Sequence, residues 1–398
     1  MPDIDNSLPH AIILGLSPTG LYAARELSHL GVPLLGVDRE FTCGSLSRHF
    51  RYRNTIWHEP SLDDLMFRLI QVFSHSSHKP VLIPTSDYYI EFVTTNYQQL
   101  AKLFSIADCY KASAATLLNK FRFHELCTRH GIPTPGVWKL SDISDINSLI
   151  GEIPFPCILK PTLVHLARTF MHGKKVLIMR NREELISAVK ELPPETGIWM
   201  IQEIIPGAES QITLAAGYAG GSFEKCDIFT ARKLRQYPSG FGSASMVISE
   251  HCSETRDLTS QLIQSIGFQG VYGSEFKRDP RDGQLKIIEI NPRPTLWFHL
   301  SHVAGKRLIE RAYCDLTGLT PPIKVQQRDG VVWQYLIKDM ASLSFYKFRG
   351  GKFVFPAPDL SAGGKKVQHC WPVFSISDPL PALAEIYSYV TKFVRRAF

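Results

Sequence analysis

Three oxygen-bearing side chains late in the chain have the types and spacing to hold a divalent cation. Glu275 stands in the run Gly273-Ser274-Glu275-Phe276-Lys277-Arg278, Glu289 and Asn291 stand in Ile287-Ile288-Glu289-Ile290-Asn291, and a polar turn at Asp282-Gly283 separates the two. Both runs have strand character, so the turn folds them into a hairpin with the two glutamates side by side. Asn291, two residues on, falls on the same face as Glu289. Adjacent carboxylates repel unless a cation lies between them. Two carboxylates and an amide oxygen, with sites left over for phosphate, suit Mg2+ on a nucleotide. A strand with one wet face also alternates Glu with apolar residues. The sequel Pro292-Arg293-Pro294 favours the metal reading, because Pro292 ends the strand and leaves Arg293 able to pair with phosphate or carboxylate oxygens.

Other chemistry is scarce. The eight cysteines are scattered without a CxxC pair or zinc spacing and read as reduced thiols. No Ser-His-Asp or Cys-His pattern points to a protein nucleophile. The net charge of +7 is mild for 398 residues, and no helix-turn-helix, finger or aromatic-basic repeat accompanies it, so nucleic acid is not an expected partner. No run reaches the roughly 18 to 20 apolar residues that span a bilayer, and Met1-Pro2-Asp3-Ile4-Asp5 lacks the pattern of a signal peptide. The expectation is a cytoplasmic protein with no membrane partner. From Val331 onward nine lysines and arginines face four acids, a surplus read as solvated charge.

These residues need a scaffold, and the length suggests two or three domains. Ala11-Ile12-Ile13-Leu14 reads as a buried strand, Gly15 to Gly20 as a turn, Leu21 to Leu30 as a helix closed by Gly31, and Pro33 to Asp38 as the next strand. This βαβ unit has Gly-x-Ser-x-x-Gly where a dinucleotide fingerprint has Gly-x-Gly-x-x-Gly. The lost middle glycine counts against a nicotinamide-dependent oxidoreductase, and Asp38 is the one feature that keeps that alternative open. A further strand, Pro80 to Pro84, leads to Asp87 at a carboxyl end where open α/β sheets collect ligands; it contacts substrate or, the favoured reading, caps a helix near Tyr88. From Leu118 the texture changes. A helix from Lys120 ends at Gly131, Ile132-Pro133-Thr134-Pro135 is an extended connection, and Lys160 and the pair Gln202-Glu203 come at strand ends. Beyond Thr320 the expectation is short aromatic strands and a final helix, Pro379 to Phe398. Its face of Leu380, Leu383, Ile386, Tyr387, Val390 and Val394 is expected to pack on the body.

The order of Asn119-Lys120, Gly131-Ile132-Pro133-Thr134-Pro135, Ile158-Leu159-Lys160-Pro161, Gln202-Glu203-Ile204-Ile205-Pro206-Gly207 with Glu209, and Glu275 with Glu289-Ile290-Asn291-Pro292-Arg293 resembles the ATP-grasp superfamily over about Ala11 to Asp315. The resemblance implies an α/β pre-ATP-grasp domain (1–117) followed by two α+β subdomains, a small lid (118–204) and a large subdomain with the metal site (205–320), and then a C-terminal α+β extension (321–398). It implies ATP and Mg2+ as cofactors and a substrate carboxylate converted to an acylphosphate that an amine attacks. Residue by residue it assigns Lys120 and Lys160 to the phosphates. Gln202, Glu203, Ile204 and Ile205 meet the adenine edge, Glu209 the ribose hydroxyls, and Glu275, Glu289 and Asn291 the Mg2+. Arg293 steadies the transferring phosphate and the acylphosphate; in the segment Thr230 to Arg235, Lys233 makes a further phosphate contact or, alternatively, Arg232 or Arg235 grips a substrate carboxylate.

The chain departs from the family in the loop after Lys160, which lacks multiple glycines. Either Gly173, Lys174 and Lys175, or His165 and Arg168, then cover the phosphates. Lys233 to Pro238 with Gly240-Phe241-Gly242 most resembles the carboxylate-amine ligase branch, which includes D-aspartate ligases and enzymes that decorate polymers. The implied partners are small carboxylates and amines, amino acids or a polymer precursor among them, and a homodimer through the first domain is compatible. A non-catalytic nucleotide-binding protein is the third alternative, disfavoured because both lysines and the metal triad are all present.

Overall fold

The computed structural model describes residues 8–50, 56–162, 176–192, 198–349, 353–361 and 368–397. Short, fully apolar segments at the N-terminus form a parallel sheet, as buried βαβ strands do. Its strands are β1 (Ala11–Leu14), β2 (Leu34–Asp38), β3 (Ile56–His58) and β4 (Val81–Pro84), in the order β3-β2-β1-β4. The turn after β1 is closed by its own backbone: Gly15 has φ +97°, and a Cβ on Gly20 would fall 1.8 Å from the Gly15 carbonyl oxygen. Asp38 fixes the same turn, accepting from the Leu16 N–H at 2.7 Å, the Arg39 N–H at 2.8 Å and the Thr42 hydroxyl at 3.1 Å. The carboxylate that kept a nicotinamide reading open is thus spent on the loop that follows its strand.

A second, antiparallel sheet of four strands comprises β5 (Val137–Leu140), β6 (Cys157–Pro161), β7 (Leu177–Met179) and β8 (Trp199–Glu203), ordered β5-β8-β6-β7. The helix Arg182–Lys190 buries Leu185 and Val189 in the core of this unit, with Leu159, Trp199 and Ile201. The third sheet is the largest, with seven strands: β9 (Ile212–Ala219), β10 (Asp227–Tyr237), β11 (Ser243–Ser249), β12 (Gly270–Arg278), β13 (Leu285–Asn291), β14 (Val332–Gln334) and β15 (His369–Cys370). Their order is β13-β12-β9-β10-β11-β14-β15.

The last part of the chain departs from the expected separate α+β extension. Its two short strands, β14 and β15, complete the large sheet, and between them runs a helix, Leu336–Arg349, that the sequence pattern concealed. That helix buries Asp339, Ser342 and Tyr346 while leaving Leu336, Met340 and Phe348 exposed. The final helix, Leu380–Ala397, differs as well. Leu380, Leu383, Ile386, Tyr387 and Val390 are each at least half exposed, so the expected packing face looks outward, and the helix attaches on its other side through Glu385, which accepts from the Tyr335 hydroxyl. Among the described residues no helix is long and apolar enough to cross a membrane.

Candidate active site

The hairpin β12–β13 places its carboxylates by register. Gly283, at φ +71° in the connecting turn, needs a left-handed conformation that glycine adopts without penalty. With the strands joined, Glu275 lies directly opposite Glu289 and Gly273 opposite Asn291. A register shift follows, since Phe276 pairs with Ile287 and leaves Ile288 unpaired. Such a bulge re-aims side chains, and here Ile288 and Glu289 both line one cleft although strict alternation would separate them. The cleft has a volume of about 540 Å3; a separate cavity of about 770 Å3, lined by Asp227 and Tyr272 among others, contains none of the predicted residues.

Cations surround the opposed glutamates. Lys233 Nζ is 2.6 Å from Glu275 Oε2, and Lys120 Nζ donates to Glu289 Oε2 at 3.0 Å. Asn291 Nδ2 donates to Glu289 Oε1 at 2.9 Å while its Oδ1 accepts from Arg293 at 3.4 Å, and Arg293 Nε pairs with Asp87 at 2.6 Å. Burial alone would lower the Lys120 pKa, but the Glu289 and Asp87 carboxylates outweigh it and hold the ammonium above its ordinary value. Burial likewise works to raise the Asp87 carboxyl, and the Arg293 guanidinium overrides it and holds the group below the usual range.

Lys160, at the end of β6, is balanced differently. Its Nζ donates to the Gln202 side-chain oxygen, a neutral partner, and burial together with the neighbouring Lys120 pushes its pKa down to about 7. A buried ammonium that donates to a neutral amide and lies near a second cation, with the Glu289 carboxylate only a partial offset, suits an arriving anion. An arriving polyphosphate raises this pKa, so binding takes up a proton. Affinity for ADP is therefore full below about pH 7 and declines as pH rises above it. Isothermal titration at pH 6.5 and 8.5, in buffers of different ionisation enthalpy, should show weaker binding and larger proton uptake at the higher pH. Lys160→Met should flatten both.

Beside these polar groups lies an apolar slot. Ile158, Val176, Ile204, Phe241 and Phe355 line it and pack together, and Ile205 and Ile212 border it. Gln202 and Glu203, at the end of β8, line the same cleft. The Glu203 carboxylate accepts from the Gly136 N–H at 2.9 Å and pairs with Arg281 at 2.5 Å, which anchors the chain where it passes from the second sheet to the third.

The stretch that holds Lys160, most of the slot and the two-carboxylate hairpin matches one family model. Residues 125–300 are similar to the ATP-grasp domain. It is similar to the D-aspartate ligase of Enterococcus faecium (strain Aus0004), 26% identical over 246 residues, which cover 59% of this chain and 58% of that ligase. It is also similar, at 23% identity, to the C-terminal section of the carbamoyl phosphate synthase large chain of Methanopyrus kandleri, over 63% of this chain and 47% of that one. The chain thus spans less than two thirds of the length of these curated relatives. Among solved structures, N5-carboxyaminoimidazole synthetase from Staphylococcus aureus complexed with ADP superposes with a TM-score of 0.62 at 18% identity, covering 80% of each chain. L-amino acid ligase from Bacillus licheniformis superposes with a TM-score of 0.59 at 15% identity, over 81% of this chain and 78% of that one. These likenesses show a shared fold.

Within the ATP-grasp cleft the structure gathers Lys120, Lys160, Gln202, Glu203, Ile204, Ile205, Glu275, Glu289, Asn291 and Arg293. Other expected residues take different positions. Glu209, read as a ribose ligand, does not line the cleft; it is 1% exposed and accepts from the Tyr346 hydroxyl at 2.5 Å, the Gln236 N–H at 3.1 Å and the Gly240 N–H. Burial raises its pKa. Lys233, also 1% exposed, sits behind Glu275 as its counter-ion and hydrogen-bonds Gln236. Neither arginine proposed to grip a substrate is free to do so: Arg232 pairs with Glu250 at 2.8 Å, and Arg235 is buried against Asp339.

Lys277 and Phe355 line the cleft although sequence reading gave them no place there, and Asp87 lines it in line with the less favoured of its two readings. Asp87 is the first residue of its helix, with Ser86 at the cap position, and is the partner of Arg293. Lys277 donates to the carbonyls of Ile205 and Gly207, and burial lowers its pKa to about 8. Its position two residues after Glu275, on the same strand face, was the available signal. Phe355, far downstream, had none. The loop holding His165, Arg168, Gly173, Lys174 and Lys175 lies outside the described residues.

Proposed function

We propose that the chain is an ATP- and Mg2+-dependent ligase that activates a carboxylate as an acylphosphate and joins it to an amine, releasing ADP and phosphate. The observation that carries this reading is the pair of opposed hairpin carboxylates in one cleft with Lys120, Lys160 and Arg293. The residues fit the nucleotide. Among the described residues Lys160 donates to the neutral Gln202 side chain, and the slot beside it is apolar, as triphosphate and base require. They fit the metal too: Glu275, Glu289 and the Asn291 amide are hard oxygen donors, and phosphate oxygens would complete the shell. When bound, Mg2+ neutralises phosphate charge and fixes the transferring group in line.

The work of the protein's own residues is positioning and charge balance. Lys120 and Lys160 hold phosphate oxygens, and the main chain at Ile204 and Ile205 borders the base. Arg293, held by Asp87, faces the transferring phosphate and the acylphosphate. A carboxylate oxygen attacks the γ-phosphorus as the bond to ADP breaks; the amine nitrogen then attacks the acyl carbon, and phosphate leaves with that carboxylate oxygen. The similarity to D-aspartate ligase and the shared fold with L-amino acid ligase support an amino acid as one partner. A cytoplasmic setting, with its supply of ATP and Mg2+, suits the reaction.

Pairwise screening of amino acids and small carboxylates for ADP release tests this. A pair that releases ADP only when both members are present is the expected result. Release that never depends on a second partner would contradict a ligase.

A further inference from the structure

The ATP-grasp match ends at residue 300, yet one wall of the slot comes from beyond it. Phe355 is 5% exposed, packs with Ile158 and Ile204, and lies 5.2 Å ring to ring from Phe241. Lys277 Nζ sits 4.0 Å from the centre of its ring, while the same ammonium holds the carbonyls of Ile205 and Gly207. Phe355 thus touches, directly or through Lys277, both the β6 side of the slot and the main chain at its hinge.

The segment that carries it is built into the cleft. Phe353 contacts Phe355 at 5.8 Å and Phe345 at 5.1 Å, which links the wall to the helix Leu336–Arg349. That helix is held by the buried Arg235–Asp339 pair and by Tyr346 on Glu209, and its Lys338 also lines the cleft. Glu209, where sequence reading sought a ribose ligand, is a tether for this segment.

We propose that the helix Leu336–Arg349 together with Phe353 and Phe355 forms a third wall of the nucleotide slot, and that Phe355 is the residue through which it contacts the base. The inference rests on the reading of the cleft as an ATP site. A flat ring beside Ile158 and Ile204 offers stacking area to a purine, and removing one aromatic partner of a base costs about 1–3 kcal/mol. The base therefore depends on a part of the chain outside the family match, while the phosphates depend on Lys120 and Lys160 within or beside it.

The test is isothermal titration of the full chain with ADP and with inorganic tripolyphosphate, which has phosphates and no base. Phe355→Ala should raise the Kd for ADP roughly 5- to 150-fold and leave that for tripolyphosphate within about twofold. Phe355→Leu, which keeps apolar bulk in the packing cluster, should fold as the wild type does and weaken ADP alone. Equal losses for both ligands in the Leu variant, or no loss for ADP, would overturn the proposal while leaving the ATP reading in place. Wild-type protein that binds tripolyphosphate and ADP with the same affinity, or neither, would overturn both.

Discussion

Glu289→Gln is expected to lower the rate of ADP formation by roughly two to three orders of magnitude, the loss typical when one preorganised electrostatic contact to a transition state is removed. The substitution keeps the shape of the side chain and deletes its charge. Glu289 faces Glu275 across the hairpin, so the change halves the carboxylate charge available to a metal. It also strips Lys120 of its 3.0 Å partner. Stability should change little, because the Glu289 side chain is 32% exposed and its strand pairing is made by the backbone. Steady-state ADP release measured against Mg2+ concentration, with a urea melt as control, checks both halves. Undiminished turnover at low Mg2+ would remove Glu289 from the metal site.

Asp339→Asn is expected to destabilise the protein by about 3–5 kcal/mol, the cost of leaving one partner of a buried ion pair uncompensated. Asp339 is fully buried and accepts from Arg235 Nε at 2.7 Å and Nη2 at 2.8 Å, from Gln334 at 2.7 Å and from Ser245 at 3.2 Å. The amide keeps the shape and loses the charge that neutralises a guanidinium with no water to turn to. In urea the midpoint should fall with an unchanged slope. The double variant Arg235→Met with Asp339→Leu should recover most of the loss, since apolar groups of similar volume replace such pairs at little cost. A single variant as stable as the wild type would show that the pair does not hold the helix Leu336–Arg349 in place.

The hairpin was legible because its signals are local. A period of two and an Asp-Gly turn are enough to bring Glu275 and Glu289 onto one hairpin, although the register that sets them directly opposite needs the extra residue at Ile288. The bulge at Ile288, which brings two consecutive residues to the cleft, leaves no such mark. The roles of Glu209 and Arg235 were misread for a different reason. Their partners, Tyr346 and Asp339, lie 137 and 104 residues away, and a charged side chain looks the same in a sequence whether it meets a ligand or a buried counter-ion. The helix Leu336–Arg349 was missed because it inverts the usual pattern, burying Asp339 and Ser342 and exposing Leu336, Met340 and Phe348. Periodicity of apolar residues finds helices that bury apolar faces; this one is held by a carboxylate and a phenol.

The central claim is that a carboxylate attacks the terminal phosphate of ATP in the cleft of Glu275, Glu289 and Lys160. The pair found by the ADP-release screen tests it most directly when the substrate carboxylate carries 18O. One labelled oxygen should appear in the released phosphate, detected by mass or by the 31P isotope shift, because the phosphate leaves with the oxygen that attacked. Phosphate free of label, formed alongside the joined product, would contradict the account.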